Sequence, residues 1–572
     1  MKKNLNTGKL GTTFLCFCAL LLAPPSSPAA GSLTPPGAPA PAMKSLQEIE
    51  PRTIISSVPF TISAPGSYYL SNNLTVATGN AITIATNNVT LDLNGFTLSS
   101  TAAGANGSGV LINGAGENIS IKDGVIQGGV TDNGSGSYGG PGFANGVYCP
   151  FGNNIFVSKL AVLGCLSSGI YLNGNSTLVE DCLVYAVGSR GISANIVVGS
   201  TASDCDGDGI DASSVSDSYG QTPYGGIGIN AENVNNCYGV SGSGTGINAG
   251  SSAHNSFGLS SSGYYGIYAV TVVNCYGTGY STNSIGILSY DATGCYGYGG
   301  SDGIYSYGTA TGCYGSGAYG DGIYAYAAEN CFGNCQAPSG STPYASIDAY
   351  TAHNCYGNSY YQNGLEVILA NNCYGYSSYG SGIIGFSSTG TSVENCYGYS
   401  YNGIGISTYL ANNSFGESQN SDGMDAHGAI NSCGYTHAGV YGLLCSGAAN
   451  NCLGYIIGGA QNFSVALQAV TANNSFGVNS STGTGGDGLY ADVANNCVGY
   501  SYSVSGAGLR SYYSATGCLG YASANGAFGV DADIAIGCYG SASGSGAVGL
   551  IAYLANSCVY DASVITYKYN MP

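Results

Sequence analysis

The chain has 572 residues, with 95 glycines, 49 tyrosines and 22 cysteines, and only 10 Lys or Arg against 29 Asp or Glu, for a formal net charge of −19. That charge repels phosphate backbones and no basic stripe offsets it, which argues against nucleic acid as a partner. The glycines lack the three-residue period of collagen, and the interleaved Ile, Val, Ala, Cys and Tyr are too apolar for a disordered tract.

In chain order, residues 1–30 read as a signal peptide: Lys2, Lys3 and Lys9, an apolar run from Phe14 to Ala23, and small residues before a cleavage point near Ala29 or Ala30. Cys16 and Cys18 lack the small-residue setting of a lipidation site. No later segment approaches about 20 consecutive apolar residues, so the expected product is secreted or cell-surface, without a transmembrane segment. Residues 31–52 form a Pro/Ala-rich linker and a short N-terminal cap, with a helical turn expected over Met43 to Glu50.

From Thr53 short alternating segments begin. Ala81 to Ala85, Val89 to Leu93 and Phe96 to Leu98 form a trio with asparagine at the bends, repeated at Val110 to Ile112, Ile119 to Ile121 and Val125 to Ile126. A persistent trio is one coil of a parallel β-helix, whereas Asn-Gly hairpins would pair strands evenly. Residues 53–168 are therefore longer three-strand coils, with Thr131 to Ala144 a Gly/Ser-rich loop thrown out from one of them. Residues 169–572 are shorter coils of Gly-Ile and Asn-Cys-Tyr-Gly, as in Gly303-Ile304 and Gly312-Cys313-Tyr314-Gly315. At roughly 4.8 Å per coil, about 22 turns would extend on the order of 100 Å.

The tripartite coils and the Asn-Cys-Tyr-Gly coils together resemble the right-handed parallel β-helix repeat proteins, which share their architecture with pectate lyases and polygalacturonases. Ser45 to Thr53, with Pro65-Gly66-Ser67-Tyr68-Tyr69-Leu70, also resembles the start of secreted bacterial β-helix proteins to which no common activity attaches. The resemblance implies an all-β, single-stranded, right-handed parallel β-helix, and carries no activity by itself.

In such a fold, equivalent positions stack into columns. One holds cysteine, from Cys165, Cys182, Cys205 and Cys237 through Cys433 to Cys558, with Ser218, Ser256, Ser414 and Ser475 in the same place. Buried thiols used as small fillers fit this pattern better than disulfides, because in-register side chains point the same way; Cys331 and Cys335 are the exception most open to bridging or metal. A second column follows the cysteines and faces outward: Tyr238, Tyr276, Tyr296, Tyr314, Tyr356, Tyr374 and Tyr397, with Tyr219 and Tyr539. Stacked aromatics stabilise rungs, and an aromatic strip also offers a surface for the sugar rings of a polysaccharide or for a surface protein.

A third column is acidic. Asp181, Asp204 and Asp217 precede Cys or Ser where most later coils carry Asn, and three carboxylates at coil spacing make a candidate calcium site or a solvated acidic patch. Arg190 and Asp208 occupy equivalent places on neighbouring coils. The resemblance implies that a lyase would use calcium-binding carboxylates with an Arg or Lys base, and a hydrolase an Asp cluster with His. Only Asp204, Asp208 and Arg190 fit such roles, since the four histidines fall at repeat-like positions. No cofactor is required beyond the candidate calcium. The reading is a secreted or surface-associated structural or binding β-helix that adheres to or retains extracellular polysaccharide. Its alternative is a polysaccharide lyase or glycoside hydrolase with a site near residues 180–217.

Overall fold

Successive turns of the chain return the same strands to the same register. Ile82 stands beside Val110, Val110 beside Val147, then Ile170, Ile192 and Ile210 follow in line. The column runs on through Ile304 and Ile323 to Leu550. A computed structural model describes residues 51–340, 344–386, 390–561 and 563–569. Among these there is no helix, and a 53-stranded sheet with parallel pairing forms a β-solenoid of about 25 turns. The expected signal peptide and cap lie outside the described residues. Arg52, read from the sequence as part of the linker, packs with the solenoid: its guanidinium lies 3.2 Å from Asp92 and 4.5 Å above the Tyr69 ring.

The early coils follow the expected trio, as in Ile82–Ile84, Val89–Asp92 and Thr97–Ser100, with Ile82, Ile84, Leu91 and Leu98 fully buried. Later coils reduce to a long strand and a short one, such as Ile304–Thr311 and Tyr314–Gly317. Along them Ile304, Ser306, Ala310 and Cys313 point inward, while Tyr305, Thr311 and Tyr314 face outward. The glycines of Gly-Ile and Tyr-Gly are fixed by contact between the two walls of the coil. A Cβ added at Gly277 would stand 2.2 Å from the Gly286 carbonyl oxygen, so backbone packs on backbone where a side chain cannot fit.

At the corner before each cysteine or serine of the ladder from Cys182 to Cys558 the backbone enters the left-handed region, with φ from 46° at Asn413 to 63° at Gly294. Asparagine and glycine tolerate this conformation, which explains their alternation there. The asparagine amides also bond along the stack, Asn354 Nδ2 to Asn330 Oδ1 at 3.1 Å and Asn451 Nδ2 to Asn431 Oδ1 at 3.2 Å.

The cysteine column differs in membership from the sequence reading. Cys165 is in register with Val187 and then Cys205, which places both on another corner. Cys433 is in register with Phe415, in the aromatic column, and Ser432 takes the cysteine place. The stacked cysteines, including Cys331, are free and buried, as is Cys335. Burial pushes the thiols of Cys182, Cys237 and Cys452 up to about 11, so they stay protonated. Cys331 Sγ donates to Glu329 O, and Cys335 Sγ to Gly320 O on a different corner, so these two do not bridge. Cys/Ser exchange also has a local cause. Cys275 Sγ donates across the corner to Val273 O at 3.2 Å, and Ser256 Oγ makes the same bond to His254 O at 2.6 Å.

The expected loop at 131–144 contains structure of its own. Thr131–Asp132 pairs antiparallel with Tyr138–Gly139, and this small hairpin folds back over later coils. Tyr138 Oη donates to Asp204 Oδ1 at 2.9 Å, and Tyr224 Oη donates to Asp132 Oδ2 at 2.5 Å.

Candidate functional site

From Tyr219 to Phe415 the outward column is an unbroken stack of rings, Tyr238, Tyr276, Tyr296, Tyr314, Tyr356, Tyr374 and Tyr397 alternating with Phe257 and Phe332. Centroid spacings run from 4.5 Å at Tyr276–Tyr296 to 5.4 Å at Tyr219–Tyr238. From Tyr238 to Tyr374 the rings are within 10° of parallel, 1° apart at Tyr356–Tyr374 and 4° at Tyr314–Phe332, while the ends tilt more, by 21° at Tyr219–Tyr238 and 25° at Tyr374–Tyr397. Stacking contributes roughly 0.5–1.5 kcal/mol per pair beyond burial. It also occupies the ring faces, so the strip presents ring edges and hydroxyls rather than flat platforms. Tyr238, Tyr276 and Tyr356 remain between 37 % and 40 % exposed. Beside them runs a groove of about 1100 Å³, lined by this column, the asparagine corner and the cysteines beneath, from Thr201 to Phe332.

The acidic constellation does not assemble as expected. Asp181 and Asp217 share a column but have Gly199 between them, each at positive φ, and Asp204 belongs to the separate corner of Gly164 and Ala186. The chain reads Asp-Cys or Asp-Ser at all three places, yet the corners differ, so three ligands do not converge. Among the described residues no three His, Cys, Asp or Glu side chains could hold a metal ion together. Asp204 is engaged by Tyr138, and Asp208 Oδ1 accepts the Ile227 N–H at 2.8 Å. Arg190 is adjacent to Asp208 along the backbone ladder, but its guanidinium pairs with Asp211 at 3.4 Å. Burial pushes the Asp208 carboxyl up, with Asp211 adding to this and Arg190 opposing it.

The job of Asp208 recurs. The residue before the Gly-Ile type strand start caps the next rung, Asp302 Oδ1 accepting Asp321 N at 2.8 Å, Asp321 Oδ1 accepting Ala345 N at 2.7 Å and Asp422 Oδ1 accepting Tyr441 N at 2.8 Å. This ladder of acceptors is structural, and it explains why acids sit at that place in several coils.

Sequence reading missed a second cluster. Tyr305, Tyr324, Asp348 and Glu366 occupy one outward column on successive rungs. Tyr305 stacks on Tyr324 at 4.4 Å, Tyr307 meets Tyr305 edge-on at 67°, and Tyr326 stacks on Tyr350 at 5.1 Å. With Phe386 and Asp348 these rings line a cleft of about 200 Å³. Burial pushes the Asp348 carboxyl up to about 7, and the neighbouring charges of Glu366 and Asp302 add to this. Further along the same face, Tyr409, Asp425 and His427 line a cleft of about 320 Å³ that shares Phe386 with the first.

No protein-family model matches the chain, and no curated protein does. Among solved structures it is similar to the Azotobacter vinelandii mannuronan C-5 epimerase AlgE6 A-module, at 13 % identity over 69 % of this chain and 91 % of that one, with a TM-score of 0.19. No described helix is long and apolar enough to cross a membrane.

Proposed function

We propose that the solenoid is a binding scaffold that retains an uncharged extracellular polysaccharide in the groove beside the tyrosine stack. One observation carries this reading: the groove is lined by tyrosine edges and asparagine amides, and Asp217 at one end is its only carboxylate. Such a surface offers a row of donors and acceptors to sugar hydroxyls without requiring charge. The formal charge of −19 disfavours polyuronates and other polyanions. The signal peptide expected at residues 1–30 would bring the protein to such a polymer. The lyase or hydrolase reading near 180–217 has weaker support, because Asp204, Asp208 and Arg190 each already hold a structural partner.

The test is retention of purified protein on insoluble neutral glucans and on pectate, comparing the native chain with Tyr276→Phe/Tyr296→Phe/Tyr314→Phe. Phenylalanine preserves the stack, as Phe257 and Phe332 do natively. Loss of three hydroxyl contacts at about 1 kcal/mol each should weaken retention by roughly a hundredfold with the unfolding curve unchanged. Equal retention by both proteins, or retention on pectate alone, overturns the reading.

A further inference from the structure

We propose that the cleft formed by Tyr305, Tyr307, Tyr324, Tyr326 and Tyr350 around Asp348 binds the ammonium group of an amino sugar, as one subsite for a cationic polysaccharide. This site lies on a different column from the tyrosine stack and stands independently of the neutral-glycan reading.

The argument begins with an unmet need. Four acids cluster here: Asp302 and Asp321 accept backbone N–H groups, and Glu366 accepts Asn363 Nδ2 at 3.3 Å. The Asp348 carboxylate makes no hydrogen bond or ion pair with any described residue, although it is partly buried and beside Glu366 on the next rung. Elsewhere in the same column the chain supplies the counter-charge itself. Asp211 has Arg190 at 3.4 Å, and Asp531 has Arg510, its neighbour on the preceding rung, at 3.4 Å. At Asp348 the neighbouring rungs instead bring Tyr324 and Glu366. A desolvated carboxylate without a donor, next to a like charge, is stabilised by a cation, and surrounding aromatic rings favour an organic ammonium through cation–π attraction.

Three features select an amino sugar polymer over a lone ammonium compound. The cleft of about 200 Å³ has room for a single ring rather than a folded peptide. Tyr307, which contacts Tyr305 edge-on and is 60 % exposed, leaves ring surface against which the C–H face of a sugar can lie. The second cleft, with Tyr409 and Asp425, continues along the same column, from Glu366 through Ile384 and Ser407 to Asp425. The Asp425 carboxylate likewise makes no hydrogen bond or ion pair with a described residue. Two acid-bearing aromatic clefts in line suit a linear chain with repeated ammonium groups.

Calorimetric titration of the full chain at neutral pH tests this with a glucosamine oligomer, the N-acetylated oligomer of equal length, choline and a trilysine peptide. The glucosamine oligomer is expected to bind, with the N-acetylated form at least about tenfold weaker. Asp348→Asn should cost about tenfold or more, Tyr307→Leu should also weaken binding, and Arg190→Ala should leave it unchanged. Asp348→Asn keeps side-chain shape and removes a repulsion, so an unfolding midpoint at or above the native value shows that the fold is intact. The Tyr276→Phe/Tyr296→Phe/Tyr314→Phe chain should bind the glucosamine oligomer normally, which separates this proposal from the groove reading. Equal binding of the two oligomers, unchanged affinity in Asp348→Asn, or tighter binding of choline or trilysine overturns the proposal.

Discussion

Between Ile82 and Val162 the interior is lined mainly by Ile, Leu and Val, whereas the coils from Ile229 to Ile323 keep one isoleucine column and fill most of the rest with Ala, Cys, Ser and Gly, with Val234 and Val272 the larger exceptions. The early coils are held by aliphatic burial, with each interior side chain excluded from water. The later ones bring their walls into backbone contact and recover stability from ladders: stacked rings outside, asparagine amides at one corner and Ser or Cys bonds inside. Thinness thus shifts the burden from volume to repetition. A cross-section too narrow for large side chains holds only if every rung places the same group in the same spot.

That contrast can be broken most severely at the wall contact. Gly277→Val would force a side chain where 2.2 Å separates a Cβ from the Gly286 carbonyl oxygen, and is expected to cost more than about 4 kcal/mol and open the central coils to limited proteolysis. Next, Ile84→Ala in the aliphatic coils should cost about 2–5 kcal/mol in urea unfolding. Cys313→Ser in the thin coils should cost under about 1 kcal/mol, since serine makes the same carbonyl bond at Ser256 and Ser414. At the corner, Asn274→Ala should cost about 1–2 kcal/mol for its positive φ of 52°, and Asn274→Gly close to nothing, because Gly294 stands in that column natively.

The remaining effect is in pH. Asp348 sits at about 7 when folded, with Glu366, Asp302 and Asp321 as the acids around it and Tyr324 on the preceding rung. Its unfolded value is about 3.9, so between roughly pH 4 and 7 the folded chain holds more protons. Asp348 therefore makes stability fall as pH rises through that window and adds no further slope above it. Thermal unfolding midpoints across the window should decline less in Asp348→Asn than in the native chain.

Much of the fold is legible in the sequence because its periodic residues mark geometric necessities. Gly-Ile marks the wall contact, Asn or Gly marks the left-handed corner, and Cys or Ser marks the bond across it. Columns are less legible where coils change outline. Cys165, Cys205 and Cys433 look like members of the cysteine ladder by local spelling, yet register puts them elsewhere. Asp204 misleads in the same way, because an Asp-Cys pair reads alike on either corner. The hairpin pairing of Thr131–Asp132 is hidden in a Gly/Ser-rich stretch whose composition gives no strand signal. The Asp348 cleft has no motif at all. It arises from rings on two neighbouring columns and from the lack of an arginine on the adjacent rungs.

The register between Ile304 and Ile323 has a consequence for how such a gene can change. Each rung bonds to the one before and the one after through equivalent groups, so excising the segment from Ile304 to Gly322 would bring Ile323 against Ile287 with the ladders still matched. Unequal recombination between repeats would then lengthen or shorten the protein by whole rungs without altering its cross-section, making reach a quantity that heredity can adjust in single steps.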